Sequence, residues 1–199
     1  MSHKILSVLI PTVLERAEQF HKLKQHIFHQ LVDHELTDIV EILYIQDNKE
    51  MTIGEKRNKL YRMAKGEYSL QIDDDDWVHP LAMPYIVDEL LKDDNPDCVG
   101  YKELCIFDGK RVESSNISLK YGGWADNEDG FNHVRTPFFK TPIKTRMCLQ
   151  CPIPHIRFGE DHEFAKMIRP LLQTESYIDE FIYHYIHNSS PHNQRYGIS

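Results

Sequence analysis

The chain has 199 residues, with 23 Lys and Arg against 31 Asp and Glu, for a net charge of −8. That balance gives no global electrostatic reason to coat nucleic acid or anionic lipid, and a hydrophobic share of 41% excludes wholesale disorder. No apolar run approaches the ~18 residues of a membrane span, and the length suits one domain over residues 1–199.

Met1-Ser-His-Lys4 followed by Ile5–Ile10 looks at first like a targeting signal. The run stops at Pro11, short of the roughly 7–15 residues of a signal core. It reads instead as a buried strand of a cytoplasmic protein. Thr12-x-x-Glu15 has the form of a capping box and predicts a helix from that point. Leu14, Ala17, Phe20, Leu23, Ile27, Phe28 and Leu31 then recur at helical spacing. Ile39–Ile45 is the second predicted strand and Glu55–Ala64 the second helix, stopped by Lys65-Gly66. Tyr68–Ile72 is the third strand. Leu81–Leu91 is the third helix, with Pro84 in its first turn or kinking it. Asp108-Gly109 marks a hairpin between Cys98–Phe107 and the residues after Lys110. Residues 120–133, rich in Gly, Asn and Asp, read as a long binding loop or lid. Glu160–Leu172 reads as a helix and Ser176–Ile186 as the last strand.

The alternation predicts an α/β fold, with a mostly parallel central sheet, helices on both faces and a less regular C-terminal part. Ligands on such sheets bind beyond the carboxyl ends of the strands. That rule singles out Pro11 and Thr12, Asp47-Asn48, and Asp73–Asp76.

Four successive carboxylates after an apolar strand repel one another, and a hard divalent cation, Mg²⁺ or Mn²⁺, would relieve that repulsion. Arg57, in Gly54-x-x-Arg57-Asn58, has the planar fork that suits a diphosphate. Glu160 and Asp161 open a predicted helix, where they serve either as simple caps or as a general base. His187 falls just past the last strand, within reach of a metal or phosphate. Between Phe131 and Arg157 the charge reverses, through Arg135, Lys140, Lys144, Arg146 and Arg157. This basic stretch would face the diphosphate or an anionic acceptor. Cys148-x-x-Cys151 resembles half of a zinc site, but Cys98 and Cys105 lack the matching spacing, so reduced thiols are expected.

Together these segments resemble a GT-A-type (Rossmann-like) nucleotide-sugar glycosyltransferase, of the inverting group called glycosyltransferase family 2. The segments are Val8-Leu-Ile-Pro-Thr12, Gln46-Asp47, Gly54-Glu-Lys-Arg57-Asn58, Ala64-Lys-Gly-Glu-Tyr68, Leu70-Gln-Ile-Asp-Asp-Asp-Asp76, Phe158-Gly-Glu-Asp161 and Ile182-Tyr-His-Tyr-Ile-His187-Asn-Ser-Ser190. The resemblance implies that residues 1–107 bind the nucleotide sugar, UDP being favoured, and that 108–199 carry the acceptor side. Pro11, Thr12 and Asp47 would contact the nucleoside. Asp73 would hold the ribose, with Asp74 beside it, and Arg57 would lie near the diphosphate. Asp75 and His187 would hold Mn²⁺ or Mg²⁺. Asp161 would be the catalytic base, with Glu160 adjacent.

The implied acceptor is a glycan or another hydroxyl-bearing molecule, with a modified nucleobase in DNA less favoured. Asp47-Asn48-Lys49 lacks the family's Gly-Ser sequel, and the chain lacks the C-terminal extension of many relatives. The histidine-rich tail suggests a small viral branch, which would act in the host cytoplasm. Two other classes compete. A nucleotidyltransferase needs a Gly-rich loop after the first strand, and Pro11–Glu15 has no glycine. A non-catalytic nucleotide- or sugar-binding module would bind without turnover.

Overall fold

The computed structural model describes residues 3–92, 94–156 and 159–189. Arg157, Phe158 and Ser190, singled out above, lie outside the described residues. Ten strands form one mixed sheet. In chain order they are β1 (Leu6–Val13), β2 (Val40–Asp47), β3 (Tyr68–Gln71), β4 (Trp77–Val78), β5 (Cys98–Phe107), β6 (Arg111–Ile117), β7 (Ala125–Glu128), β8 (Phe131–Arg135), β9 (Ile143–Lys144) and β10 (Glu175–His187). The helices are α1 (Ala17–Asp33), α2 (Ile53–Met63), α3 (Ala82–Leu90), α4 (Thr145–Cys148) and α5 (Glu160–Ile168).

The path across the sheet is β2-β1-β3-β9-β5-β6-β8-β7, with β10 beside β5 and β4. Parallel pairing carries the β2-β1-β3 half and the long β5–β10 seam. The crossover from β1 to β2 runs one way along the sheet and that from β2 to β3 the other. Right-handed crossovers therefore put α1 and α2 on opposite faces. In keeping with this, α1 packs on α3, while Tyr61 of α2 stacks on Phe164 of α5 at 6.1 Å. One hydrophobic cluster runs through both halves, from Leu6, Val8 and Leu9 to Phe164, Ile178 and Ile182.

Several expectations are corrected. β1 does not stop at Ile10 but runs on to Val13, in register with β2 as far as Asp47. Pro11 is tolerated because it points the way Leu9 does, toward β3. The Leu9 carbonyl takes the last bond there, from the Ile72 amide, so the missing N–H of Pro11 has no ladder partner to lose. Thr12 therefore lies in a strand and caps nothing. The capping box belongs to Thr52 and Glu55, which start α2. A 3₁₀ turn over Leu14–Arg16 precedes α1, which leaves Leu14 exposed and off the buried stripe of Phe20, Leu23, Ile27 and Leu31. Phe28 is likewise exposed.

The predicted 120–133 loop contains the β7–β8 hairpin, whose tight turn uses the positive φ angles of Asp129 and Gly130. Pro84 sits in the first turn of α3, where a missing N–H costs least. The Asp108-Gly109 turn stands where its residues predict, both at positive φ. The helix expected over Glu160–Leu172 is α at first and tightens to 3₁₀ over Arg169–Leu171, at Pro170.

Candidate active site

β1, β2 and β3 end at one edge, and their last residues meet there. Thr12 lies level with Gln46 and Val13 with Asp47, and Asp73–Asp76 leave the end of β3 beside them. The four aspartates have four different surroundings. Asp73 accepts from Arg57 Nη2 at 2.7 Å and lies 3.0 Å from Lys140 Nζ. Burial alone would raise its carboxyl, but these two cations hold it well below the ordinary carboxylate range. Asp76 is almost wholly buried. It accepts from Lys140 Nζ at 2.6 Å, the Tyr183 hydroxyl at 2.7 Å and the Ile186 amide at 2.9 Å. Burial would lower the Lys140 ammonium, but Asp76, Tyr183 and Asp73 outweigh it and hold it well above its ordinary value.

Arg16, reaching over from the turn after β1, contacts both remaining carboxylates, Asp74 at 2.9 Å and Asp75 at 2.8 Å. Asp74 is buried, and its Oδ2 has no hydrogen-bond partner. Asp75 is the exposed member, with 37% of its side chain accessible. Burial pushes its carboxyl up to about 7; the negative charges of Asp73, Asp76 and Asp74 add to that push and Arg16 opposes it. A cation beside Asp75 would meet a carboxylate with surplus negative charge around it and an unsatisfied Asp74 oxygen. With Arg16 displaced from them, these carboxylate oxygens would fit Mg²⁺ or Mn²⁺ held by one or two carboxylates together with phosphate oxygens. Among the described residues no group of three or more His, Cys, Asp and Glu side chains converges as a metal cage.

Arg57, expected near the diphosphate, is engaged inside the protein. It is 3% exposed, with Nη2 on Asp73 and Nη1 donating to Gln71 Oε1 at 3.0 Å. Its guanidinium lies 3.8 Å from the centre of the Phe139 ring. The rest of its motif is explained by packing. A Cβ at Gly54 would come within 2.5 Å of the Pro154 carbonyl oxygen. Asn58 exchanges two hydrogen bonds with the Ile153 backbone, both at 2.8 Å.

Asp47 is also engaged internally. It pairs with the buried Lys56 and accepts from the Met51 and Lys49 amides. Burial opposes ionisation, but these bonds keep its carboxyl below the ordinary range. Lys56 also donates to the Thr12 carbonyl at 2.7 Å, tying β2 to β1 where both strands end.

Glu160 and Asp161 open α5, but neither is its cap. That position belongs to Gly159, at φ 79°, where a side chain would be strained. Asp161 accepts from the adjacent His162 amide at 2.8 Å. Glu160 is half-buried, and its carboxyl is raised by burial against the pull of Arg57. His187 ends β10 on the face that carries Tyr183 and Tyr185. Its ring lies 5.7 Å from that of Phe107, and no hydrogen bond or ion pair joins it to Asp75.

Three of the five cations of the basic stretch are paired internally. Lys140 is spent on Asp73 and Asp76, Lys144 on Asp97 and Arg135 on Asp126. The four cysteines are unpaired and buried, with burial raising Cys148 to about 12 and also raising Cys151. Neither presents a thiolate to a metal.

Sequence reasoning left Arg16, Lys56 and Tyr183 without a role and gave Lys140 only an assisting one. The available signal was Lys140 inside Thr136-Pro-Phe-Phe-Lys140-Thr-Pro142, a lone cation in an apolar run. Such a residue is buried only when paired.

No protein-family model matches the chain, and no curated protein matches it. Solved structures do. S. aureus TarS 1–349 in complex with UDP-GlcNAc superposes with a TM-score of 0.65 over 96% of this chain and 60% of its own, at 15% identity. The same TarS fragment in complex with UDP gives 0.63 over 92% and 60%, at 15% identity. The catalytic domain of Drosophila β1,4-galactosyltransferase 7, in a complex with xylobiose, gives 0.51 over 92% and 71%, at 16% identity. The chain spans about three fifths of the TarS fragment it matches. No helix among the described residues is long and apolar enough to cross a membrane. With a mixed α/β sheet, an aspartate cluster at its carboxyl edge and these neighbours, the chain has the GT-A fold of nucleotide-sugar glycosyltransferases.

Proposed function

We propose that this protein is a metal-dependent glycosyltransferase that moves a sugar from a nucleoside-diphosphate sugar, UDP-linked by preference, to an acceptor hydroxyl with inversion. One observation carries the reading. Of four consecutive aspartates at the sheet edge, Asp73 and Asp76 are neutralised from within by Arg57 and Lys140, while the half-exposed Asp75 shares one cation, Arg16, with Asp74, which leaves the cluster with surplus negative charge. Folding alone gains nothing from that arrangement, whereas binding a diphosphate with its cation does.

In this reading Pro11, Thr12 and Asp47 line the nucleoside end. Asp73, pre-ionised by Arg57 and Lys140, accepts from the ribose hydroxyls, with Asp74 next to it. A divalent cation, when bound, neutralises charge on the departing diphosphate. Asp75 holds that cation, and His187 lies on the face of β10 that extends toward the same end. Asp161 takes the proton of the attacking acceptor hydroxyl, and Glu160, with its proton held more firmly, sits beside it. Attack from the side opposite the leaving group inverts the anomeric carbon. The unpaired, buried cysteines support a reducing, cytoplasmic setting.

The test is calorimetry of UDP with and without Mn²⁺, followed by donor hydrolysis and transfer assays over several nucleotide sugars. Mn²⁺-dependent UDP binding is expected, lost in Asp75→Ala with the fold retained. Asp161→Asn should keep its melting temperature and donor affinity and lose about 10²–10⁴-fold in transfer rate. Unchanged UDP binding in EDTA, or a fully active Asp161→Asn, overturns the assignment it addresses.

A further inference from the structure

A second concavity, of about 240 Å³, opens on the far side of Lys140 from the β1–β2 edge. Its floor is a row across three strands. Glu103 of β5 stands opposite Ser115 of β6, and Ser115 opposite His133 of β8. Trp124, Phe138 and Tyr185 form aromatic walls, and Asp161 lies at the rim.

The basic side chains of this chamber already have partners. Lys140 is held by Asp73 and Asp76. Arg135 is held by Asp126 and the Ala125 carbonyl. His133 lies between Asp126 and Glu113, 2.8 Å from each. The groups left unsatisfied are of a different kind. Ser115 Oγ and Trp124 Nε1 are buried without any hydrogen-bond partner. Glu103 is 6% exposed, and among the described residues its carboxylate accepts only a 3.8 Å contact from the Cys105 thiol. Buried polar groups normally find partners, so a carboxyl group, a hydroxyl and an indole N–H left without full partners in the residues lining one cavity match a ligand that both gives and accepts hydrogen bonds. With Lys140 and Arg135 satisfied internally, the chamber does not select an anion. The volume falls below the roughly 300–1,000 Å³ of drug-sized sites, which limits the occupant to about one ring.

We propose that this chamber is the acceptor subsite and takes one neutral sugar ring, with Glu103 accepting from a ring hydroxyl, Ser115 and Trp124 completing the set, and the reacting hydroxyl presented to Asp161. The inference rests on the glycosyl-transfer reading above. It adds the class of acceptor and three residues that select it.

The probe is a panel of neutral methyl glycosides, with methyl glycosiduronates and sulfated glycosides as the charged arm. They are titrated into the full chain while the indole N–H resonance of Trp124 is followed by NMR. A Trp124→Phe variant separates that resonance from Trp77. At least one neutral glycoside is expected to shift the Trp124 signal. Glu103→Leu should weaken that binding by about tenfold or more, with UDP and UDP-sugar affinities in Mn²⁺ unchanged. Ser115→Ala, a smaller change, should weaken it in the same direction, and serves if Glu103→Leu fails to fold. The proposal is overturned if no neutral glycoside up to tens of millimolar moves the Trp124 signal, or if only charged glycosides bind. It is also overturned if the variants bind as wild type does, or if Glu103→Leu loses UDP-sugar but not UDP, which would make this the donor sugar's place. Wild-type protein that binds glycoside but not UDP with Mn²⁺ would overturn the glycosyl-transfer reading instead, leaving a sugar site without an acceptor role.

Discussion

Four identical residues in a row have four fates here, and position alone decides them. Asp73 is ionised by two cations, Asp76 is locked under Tyr183, Asp74 keeps one orphaned oxygen, and Asp75 faces out. Glu103 offers a test at the same scale. Burial raises its carboxyl from 4.5 to about 7. Asp76 adds to the rise, while Lys140, the Cys105 thiol and Arg135 pull the other way. Between those two pH values the unfolded chain has released this proton and the folded chain keeps it. Stability therefore falls as pH rises through that window. Glu103→Leu removes the loss. It is expected to raise the melting temperature at pH 8, by an amount corresponding to about 3 kcal/mol at most, and to change it little at pH 5. An equal gain at both pH values would show that no buried charge is being removed. The raised group itself was not legible in Lys102-Glu103-Leu104, because alternation in a strand shows which residues share a face but not which face is covered.

At the scale of elements, the helix and strand periods found most of the framework, and the misplacements have local causes. Two Thr-x-x-Glu sequences compete for the role of capping box. The one at Thr12 loses because β1 continues beside β2 through eight paired residues, and a strand cannot also be a helix cap. The one at Thr52 wins, with Glu55 N–H donating to Thr52 Oγ1 and the Thr52 amide donating to Glu55. Thr52→Ala is expected to cost about 0.5–2 kcal/mol in denaturant unfolding, whereas Thr12→Ala should disturb no helix; its effect, if any, belongs at the sheet edge. Gly66 makes a sharper case. A Cβ there would come within 2.5 Å of the Ser7 amide nitrogen, and backbone in the middle of a parallel ladder cannot move aside. Gly66→Ala should destabilise by about 1–3 kcal/mol. A neutral outcome would mean that β1 and β3 can separate at that point. Short elements such as β4, β9 and α4 carry too few residues to show a period, which is why only the folded chain reveals them.

Across the whole molecule, Lys140 joins three stretches that are far apart in sequence: Asp73–Asp76, its own segment before β9, and Tyr183–Ile186 of β10. The Phe139 carbonyl, accepting from the Gln71 amide, brings that segment alongside β3. The Tyr101 hydroxyl then fixes the Lys140 carbonyl at 2.6 Å. Lys140→Met keeps the length and leaves two buried carboxylates without their cation, so about 3–5 kcal/mol should be lost. Adding Asp76→Asn should recover part of it, because one of the stranded charges is gone. If Lys140→Met unfolds at the wild-type denaturant midpoint, the network does not hold the halves together.

By itself the sequence determined the strand–helix alternation, the carboxyl edge of the sheet and the carboxylates gathered there, because hydrophobic period and strand-end rules act over a few residues at a time. Only the tertiary structure decided which charges are spent on one another. The same fork that suits a diphosphate in Arg57 is turned inward to Asp73, and Lys140, Lys144 and Arg135 of the basic stretch pair with Asp73, Asp76, Asp97 and Asp126. Ion pairing and burial depend on distances between residues tens of positions apart, and no local pattern of the chain encodes those distances.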